Sequence, residues 1–151
     1  MKHRSTKHYG HDLGLSACFR QWRATHSHCS LLHGYALAFT FIFEADTLDE
    51  RNWVVDFGAL DPLKKLLKET FDHKTLVAGD DPQIDELSAL SGIGLADVVV
   101  FPDGVGCEKF AQWGHKAATS IIDAMGLRPR VRVVSCEVRE HGANSAIYIE
   151  E

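Results

Sequence analysis

The chain has 151 residues, of which 45% are hydrophobic and 25% are charged, which predicts one globular domain with a real core. Its net charge of −5 argues against a partner such as nucleic acid or an anionic membrane. No apolar run reaches the ~20 residues of a membrane span, and the polar N-terminus lacks the apolar core of a signal peptide. We expect reduced thiols in the cytoplasm, because no C-x-x-C spacing joins the cysteines Cys18, Cys29, Cys107 and Cys136.

The first predicted elements form a hairpin. Residues 1–12 carry histidines among lysine and arginine, and we expect them to be a partly ordered leader. Residues 13–25 predict a first strand. Residues 32–44 predict a second strand, because large apolar side chains alternate along it. The link between them is short, so an antiparallel hairpin is expected.

The link carries a dense group of side chains that bind metals or transfer protons: His26, His28, Cys29 and His33. If the second strand starts near residue 32, His33 and Tyr35 share a face, because strand side chains repeat every two residues. Zinc can use histidines that face each other across a tight connection. A neighbouring cysteine can be a ligand, a base or a nucleophile. Singly, such residues are more often solvated histidines or buried thiols, but their density favours a functional site.

The middle of the chain predicts a helix and then a loose connection. Asp61 is a suitable N-cap with Pro62 at the first helical position, and an apolar stripe follows at helical spacing. This helix is expected to end at Asp72-His73. Residues 77–104 are interrupted by Gly, Asp and Pro, and a short extra strand is predicted at 98–101.

The last third predicts a helix and two strands. The helix runs from Gly106 to Gly126, with one apolar face and a glycine stop. Strands are predicted at 130–139 and 145–149. The order ββααββ predicts an α+β fold, with an antiparallel four-stranded sheet and two helices on one face. Its open strand edges make a ring-shaped oligomer physically plausible.

Three motifs, in order, carry a resemblance to a known family: Cys29-Ser-Leu-Leu-His33-Gly34, Val54-Val55-Asp56-Phe57-Gly58 and Phe71-Asp72-His73. Together with the strand between the first two, they resemble the 6-pyruvoyl-tetrahydropterin synthase / 6-carboxy-tetrahydropterin synthase family over roughly residues 13–150. The resemblance implies a single tunnelling-fold (T-fold) domain at 13–151. It also implies a homo-trimer or homo-hexamer with active sites between subunits.

The resemblance implies a zinc-dependent lyase whose substrate is 7,8-dihydroneopterin triphosphate. Zn²⁺ would grip the side-chain hydroxyl groups of the pterin and make nearby protons easier to remove. Cys29 stands where the family has its base. Asp72 would orient His73, and His73 would relay protons with Cys29.

The resemblance also implies an acidic anchor for the pterin. A carboxylate can accept two parallel hydrogen bonds from the guanidine-like edge of the pterin. Counting back from Tyr148 places this glutamate at Glu140, with Glu137 as the alternative. Cys107 and Glu108, at the start of the second helix, are assigned to the same substrate pocket, although Cys107 on its own is typical of packing.

The chain departs from the family at the metal ligands. The family usually has H-G-H on the second strand, where this chain has His33-Gly34-Tyr35. The first-strand ligand usually closes an F-x-A-x-H pattern, which Trp22–His26 matches with Trp for Phe, although the loop to the cysteine is then unusually short. We predict that His26, His28 and His33 together restore three zinc ligands. The alternative is that two ligands remain and zinc is weak or absent.

The predicted product is 6-carboxy-5,6,7,8-tetrahydropterin, released with acetaldehyde and triphosphate on the route to queuosine and other 7-deazaguanines. The alternative within the family is the 6-pyruvoyl-tetrahydropterin synthase reaction. Cys29 argues against a third branch that has Glu at this position. Outside catalysis, the alternatives are a metal-depleted pterin-binding homologue and a structural oligomer whose histidines merely titrate.

Overall fold

The computed structural model describes residues 1–151 as seven strands and three α-helices. The strands are β1 (His3–Tyr9), β2 (Leu15–Phe19), β3 (His33–Ala45), β4 (Lys74–Ala78), β5 (Val98–Phe101), β6 (Val131–Arg139) and β7 (Ser145–Ile149). The helices are α1 (Asp61–Phe71), α2 (Ile84–Gly92) and α3 (Cys107–Ala124). None of these helices is both long enough and apolar enough to span a membrane.

The long strand β3 is the centre of the sheet. β1 pairs with its second half and β2 with its first half, while β6 pairs along its other edge. The four predicted strands correspond to β2, β3, β6 and β7, which pair antiparallel in this order. β1 is an additional strand, and parallel pairings extend the sheet from β2 to β4 and then to β5. The α+β class is therefore confirmed, but the sheet is larger than predicted and mixed.

The N-terminal segment differs from the expected leader and first strand. Residues 3–9 form strand β1, because their polar side chains find polar partners on β3: His8 Nδ1, for example, lies 2.7 Å from Thr40 Oγ1. A short turn with Gly14 at φ +74° separates β1 from β2. β2 then ends at Phe19 instead of near residue 25, and residues 20–32 form turns and a short 3-10 helix.

The predicted helices are present, and the connection between them holds one more. α1 covers the predicted segment, but its N-cap is Leu60, and Asp61 lies in the first turn, where a carboxylate favours the helix dipole. α3 is followed by Gly126 at φ +71°, as the glycine stop predicted. The strand predicted at 98–101 is β5. Sequence periodicity missed α2 because only Leu87 of this helix is buried.

An aromatic core joins the helices to the sheet and reaches the end of β2. Phe71 of α1 lies 5.0 Å from Phe39 and 5.2 Å from Phe110 of α3, ring centre to ring centre. Gly114 lets α3 approach β6, since a Cβ there would lie 2.7 Å from Cys136 Sγ. Phe110 in turn packs edge-on against Phe19, at 5.1 Å. The start of α3 is thereby placed beside the end of the β2–β3 hairpin that residues 20–32 connect.

Candidate active site

Two neighbouring cavities open where the β2–β3 hairpin, the turn after β6 and the start of α3 meet. Their volumes are about 470 Å³ and about 200 Å³, and both are lined by Cys29, Tyr35 and Glu140. We call the two cavities together the cleft. Its other lining side chains include His11, His33 and His141 in the larger cavity and Cys107, Glu108 and Asn144 in the smaller one.

The backbone around Cys29 is held firmly while its side chain is exposed. The Gln21 N–H donates to the Cys29 carbonyl at 2.7 Å, and the Cys29 N–H donates to Ser27 Oγ at 3.2 Å. Arg20 binds both carboxylate oxygens of the buried Asp81, at 2.9 and 2.6 Å, and so ties the end of β2 to the segment after β4. The thiol is thus presented to the cleft from a fixed loop.

Glu140 lies at the end of β6 with acceptor capacity to spare. Asn144 Nδ2 donates to its Oε1 at 3.0 Å, and the ring of His141 approaches the same oxygen at 3.5 Å. No lysine or arginine pairs with it. A carboxylate in this state can accept two parallel hydrogen bonds from a planar ligand. The alternative, Glu137, lines neither cavity and pairs with Arg139 at 2.8 Å.

The start of α3 forms one wall of the smaller cavity. Gln21 Nε2 donates to the Val105 carbonyl at 2.7 Å and so links this wall to the Cys29 loop. Burial, with smaller contributions from Glu140 and Glu108, raises the pKa of Cys107 to about 12. This thiol therefore stays protonated at neutral pH and is a wall of the pocket instead of a nucleophile.

His33 and Tyr35, at the start of β3, are hydrogen-bonded to each other. His33 Nδ1 lies 2.8 Å from the Leu31 carbonyl, which can only accept, so Nδ1 carries the hydrogen and Nε2 is the acceptor. The Tyr35 hydroxyl donates to that Nε2. Burial first, and then the charges of Glu140, Cys29 and Cys107, raise the pKa of Tyr35 to about 12. The Tyr35 side chain is therefore a neutral phenol.

The structure does not gather the three predicted zinc ligands. His33 lines the cleft, but His26 and His28 are exposed and line neither cavity. The reason is the early end of β2 at Phe19, which leaves His26 in a turn instead of at the end of a strand. No group of three or more His, Cys, Asp or Glu side chains is arranged to hold a metal ion. The residues present therefore do not fit zinc.

The predicted Asp72–His73 pair is formed but lies outside the cleft of its own chain. His73 Nδ1 lies 2.8 Å from Asp72 Oδ1, which also accepts from the Ser16 N–H at 3.2 Å. The His73 backbone has φ +58°, and its side chain is 83% exposed. Neither residue lines either cavity, so one chain does not place this pair in the cleft with Cys29.

Sequence reasoning missed two residues that shape the cleft, Gln21 and Phe19. Both fall within the first predicted strand, which extends to residue 25 and gives neither residue a special role. A signal was present in Leu15-Ser-Ala-Cys-Phe19, which has the spacing of F-x-A-x-H with aromatic Phe19 in the last place. In this match Cys29 follows Phe19 by ten positions, whereas Cys29 follows His26 by only three.

Residues 10–151 match the model of the family described as 6-pyruvoyl tetrahydropterin synthase. Among curated proteins, the chain is 27% identical over 124 residues to a 6-carboxy-5,6,7,8-tetrahydropterin synthase of Aquifex aeolicus, covering 82% of this chain and 76% of that protein.

Solved structures share the fold over the whole chain. A crystal structure of an uncharacterized Wolinella succinogenes protein has a TM-score of 0.83 at 20% identity, covering 100% of this chain and 99% of that one. The 6-pyruvoyl tetrahydropterin synthase of Plasmodium falciparum has a TM-score of 0.71 at 14% identity, covering 99% and 98%. The chain therefore belongs to the 6-pyruvoyl tetrahydropterin synthase family.

Proposed function

We propose that this chain is a lyase that acts on a dihydropterin with a phosphorylated side chain. The observation that carries the proposal is that Cys29 and Glu140, a base and an acidic anchor, line one cleft. The reaction is that of a 6-carboxytetrahydropterin synthase. 7,8-Dihydroneopterin triphosphate and water give 6-carboxy-5,6,7,8-tetrahydropterin, acetaldehyde and triphosphate, on the route to queuosine. The name of the Aquifex aeolicus relative supports this choice of product.

Glu140 holds the pterin in this proposal. The larger cavity, at about 470 Å³, has the size typical of small-molecule sites. Two parallel N–H donors on the edge of the pterin would meet the carboxylate of Glu140, which has no lysine or arginine partner to displace. Glu108 and the neutral thiol of Cys107 complete the polar wall on the α3 side.

Cys29 removes the proton from the side-chain carbon. A thiolate is the reactive form, and the exposed sulfur at the cleft leaves room for a substrate to approach. Asp72 fixes the ring of His73 through the 2.8 Å hydrogen bond, so one ring nitrogen stays free for proton relay. The left-handed backbone of His73 costs roughly 1–2 kcal/mol, and such strain often marks a functional position.

The Asp72–His73 pair would serve the cleft of a neighbouring subunit in a homo-trimer or homo-hexamer. β1 and β7 each pair with a single strand, so both edges of the antiparallel sheet carry unpaired backbone groups. On β7, the side chains of Ile147 and Ile149 are 54% and 59% exposed. Pairing between copies would bury them and complete the site.

The proposal is tested by product analysis with 7,8-dihydroneopterin triphosphate. The native chain is expected to release 6-carboxytetrahydropterin and acetaldehyde, detected by mass spectrometry. Cys29→Ala is expected to lose turnover by about 10²–10⁴-fold, the usual contribution of a positioned base, while it still binds pterin. Cys18→Ala is the matched control, because that thiol lines neither cavity. Equal rates in the native chain and Cys29→Ala would refute the role of Cys29.

A second function, pterin binding without turnover, is favoured by one observation. Tyr35 stands where the family usually has a histidine, and the residues present do not fit zinc. Fluorescence titration with the same triphosphate would then show binding, while mass spectrometry would show no product. A 6-pyruvoyl-tetrahydropterin product without acetaldehyde would instead indicate the other reaction of the family.

A further inference from the structure

An aromatic stack occupies the face of the hairpin on which His33 lies. In the β2–β3 register, Phe19 is opposite His33 and Ala17 is opposite Tyr35. Directly opposed residues and residues two apart share one face of a sheet, so Phe19, His33 and Tyr35 are neighbours on the same face. The rings of Phe19 and Tyr35 stack with their centres 4.2 Å apart and an angle of 16° between them.

These three positions offer a metal only one imidazole. A catalytic zinc site needs about three protein ligands and one open position. Phe19 has no lone pair and is 2% exposed, packed against Phe110. The Tyr35 hydroxyl donates its hydrogen to His33 Nε2 and so is a neutral phenol in this contact. A phenol that keeps its proton is a poor ligand for a divalent cation.

The remaining imidazole is already in use at both nitrogens. His33 Nδ1 donates to the Leu31 carbonyl at 2.8 Å, and Nε2 accepts the hydroxyl of Tyr35. Zinc would need the Nε2 lone pair that Tyr35 now holds. The hydroxyl therefore lies where a metal bonded to His33 would lie.

Other histidines at the cleft do not replace the missing ligands. His11 and His141 line the larger cavity with His33, but they form no group that could hold a metal. His141 Nδ1 accepts the Ala143 N–H at 3.2 Å, which places its hydrogen on Nε2, facing Glu140. That ring is thus committed to the turn after β6.

We infer that the Phe19–Tyr35 stack and the Tyr35–His33 hydrogen bond replace a metal centre in this chain, so that the cleft works without a bound divalent cation. In its place, the Tyr35 hydroxyl and the His33 ring form a hydrogen-bonding pair for the side-chain hydroxyl groups of the substrate. The contact of this pair with the substrate rests on the proposed function, whereas the absence of metal binding does not.

The first test measures metal content with zinc ions as the probe. The native chain, saturated with zinc sulfate and desalted, is expected to retain well below one equivalent at this site, and His33→Ala should not change the amount. The Phe19→His/Tyr35→His double variant places three imidazoles on one face. It is expected to retain about one equivalent and, with Co²⁺, to show the visible absorption of a tetrahedral site.

The controls separate this site from surface histidines. Adding His33→Ala to the double variant should abolish the retained metal and the Co²⁺ absorption, whereas His26→Ala should leave both unchanged. Circular dichroism checks that the variants fold. If the double variant does not fold, the comparison between the native chain and His33→Ala still shows whether zinc binds at His33. One equivalent of zinc in the native chain, lost in His33→Ala, would overturn the inference.

The second test separates this inference from the proposed function. Pterin binding and product formation are measured on the native chain before and after treatment with a chelator. Both are expected to be unchanged. Activity that disappears with the chelator and returns with zinc would overturn the metal-free site. A chain that binds neither zinc nor pterin would support the metal-free site and refute the proposed function.

Discussion

Two glutamates lie at opposite ends of the β3–β6 pair and differ in what surrounds them. Glu44, near the end of β3, is 1% exposed and pairs with Lys2, Arg4 and Arg132. Glu140, at the end of β6, is 24% exposed and has no lysine or arginine partner. The cations lower the pKa of Glu44 to about 2, with Arg132 contributing most.

The difference shows which carboxylate is structural and which is available to a ligand. Both carboxylate oxygens of Glu44 are paired with cations, so this buried side chain stabilises the sheet. Glu140 keeps free acceptor capacity beside an open cavity. Between the two ends, the face of β3 that carries Tyr35 continues as Phe39, Phe41 and Phe43, which are wholly buried.

Phe39→Ala is expected to have the largest effect, a loss of stability in the buried core. Phe39 is fully buried and packs against Phe71 at 5.0 Å. Removing a buried phenylalanine side chain costs about 3–5 kcal/mol through lost contacts and a residual cavity. The free energy of unfolding, measured by urea denaturation, should fall by this amount. Phe57→Ala is the control, because Phe57 is 45% exposed and should lose far less.

Glu140→Gln is expected to weaken pterin binding in the cleft and to leave the fold intact. The change keeps the size of the side chain and removes the charge that would hold the pterin edge. A hydrogen bond to a charged group is worth about 1.5–3 kcal/mol, so pterin affinity should fall roughly 10–100-fold. The measurement is fluorescence titration, with Glu137→Gln as the matched control from the same strand. Equal losses in the two variants would assign the anchor elsewhere.

Local sequence patterns, namely apolar periodicity and helix-terminating residues, predicted most of the fold. Alternating apolar residues located β3, and helical spacing with a glycine stop located α1 and α3. β1 escaped detection because its pattern is polar, and its stability comes from cross-strand partners such as Glu44 that lie 40 residues away in sequence. The parallel pairing of β4 between β2 and β5 is equally non-local.

The site was predictable only in part. The family resemblance singled out Cys29 and Glu140, and the structure brings both side chains to one cleft. The prediction of His26, His28 and His33 as zinc ligands failed because it required the first strand to continue past residue 19. β2 ends at Phe19, and the next residue, Arg20, binds Asp81 and the carbonyl of Ser30. Such long-range contacts leave no periodic signal.

Acid should weaken the sheet around Glu44. The pKa of Glu44 in the folded chain, about 2, is below that of an ordinary glutamate, so its stabilising contribution is complete above pH ~4.5 and is lost as the pH falls toward about 2. The difference in unfolding free energy between the native chain and Glu44→Gln should shrink over this window. Glu69→Gln, from an exposed pair with Lys65 at 3.7 Å, should show little difference at any pH.

Tyr35→Phe is expected to have the smallest effect on stability and a specific effect on His33. The ring keeps its stack with Phe19, so the unfolding free energy should change by less than about 1 kcal/mol. The lost hydroxyl frees Nε2 of His33, while Nδ1 keeps the Leu31 carbonyl. The nitrogen chemical shift of Nε2, measured by NMR, should therefore move while that of Nδ1 stays. An unchanged Nε2 shift would mean that Tyr35 does not donate to His33 in solution, and the metal-free site would lack its central hydrogen bond.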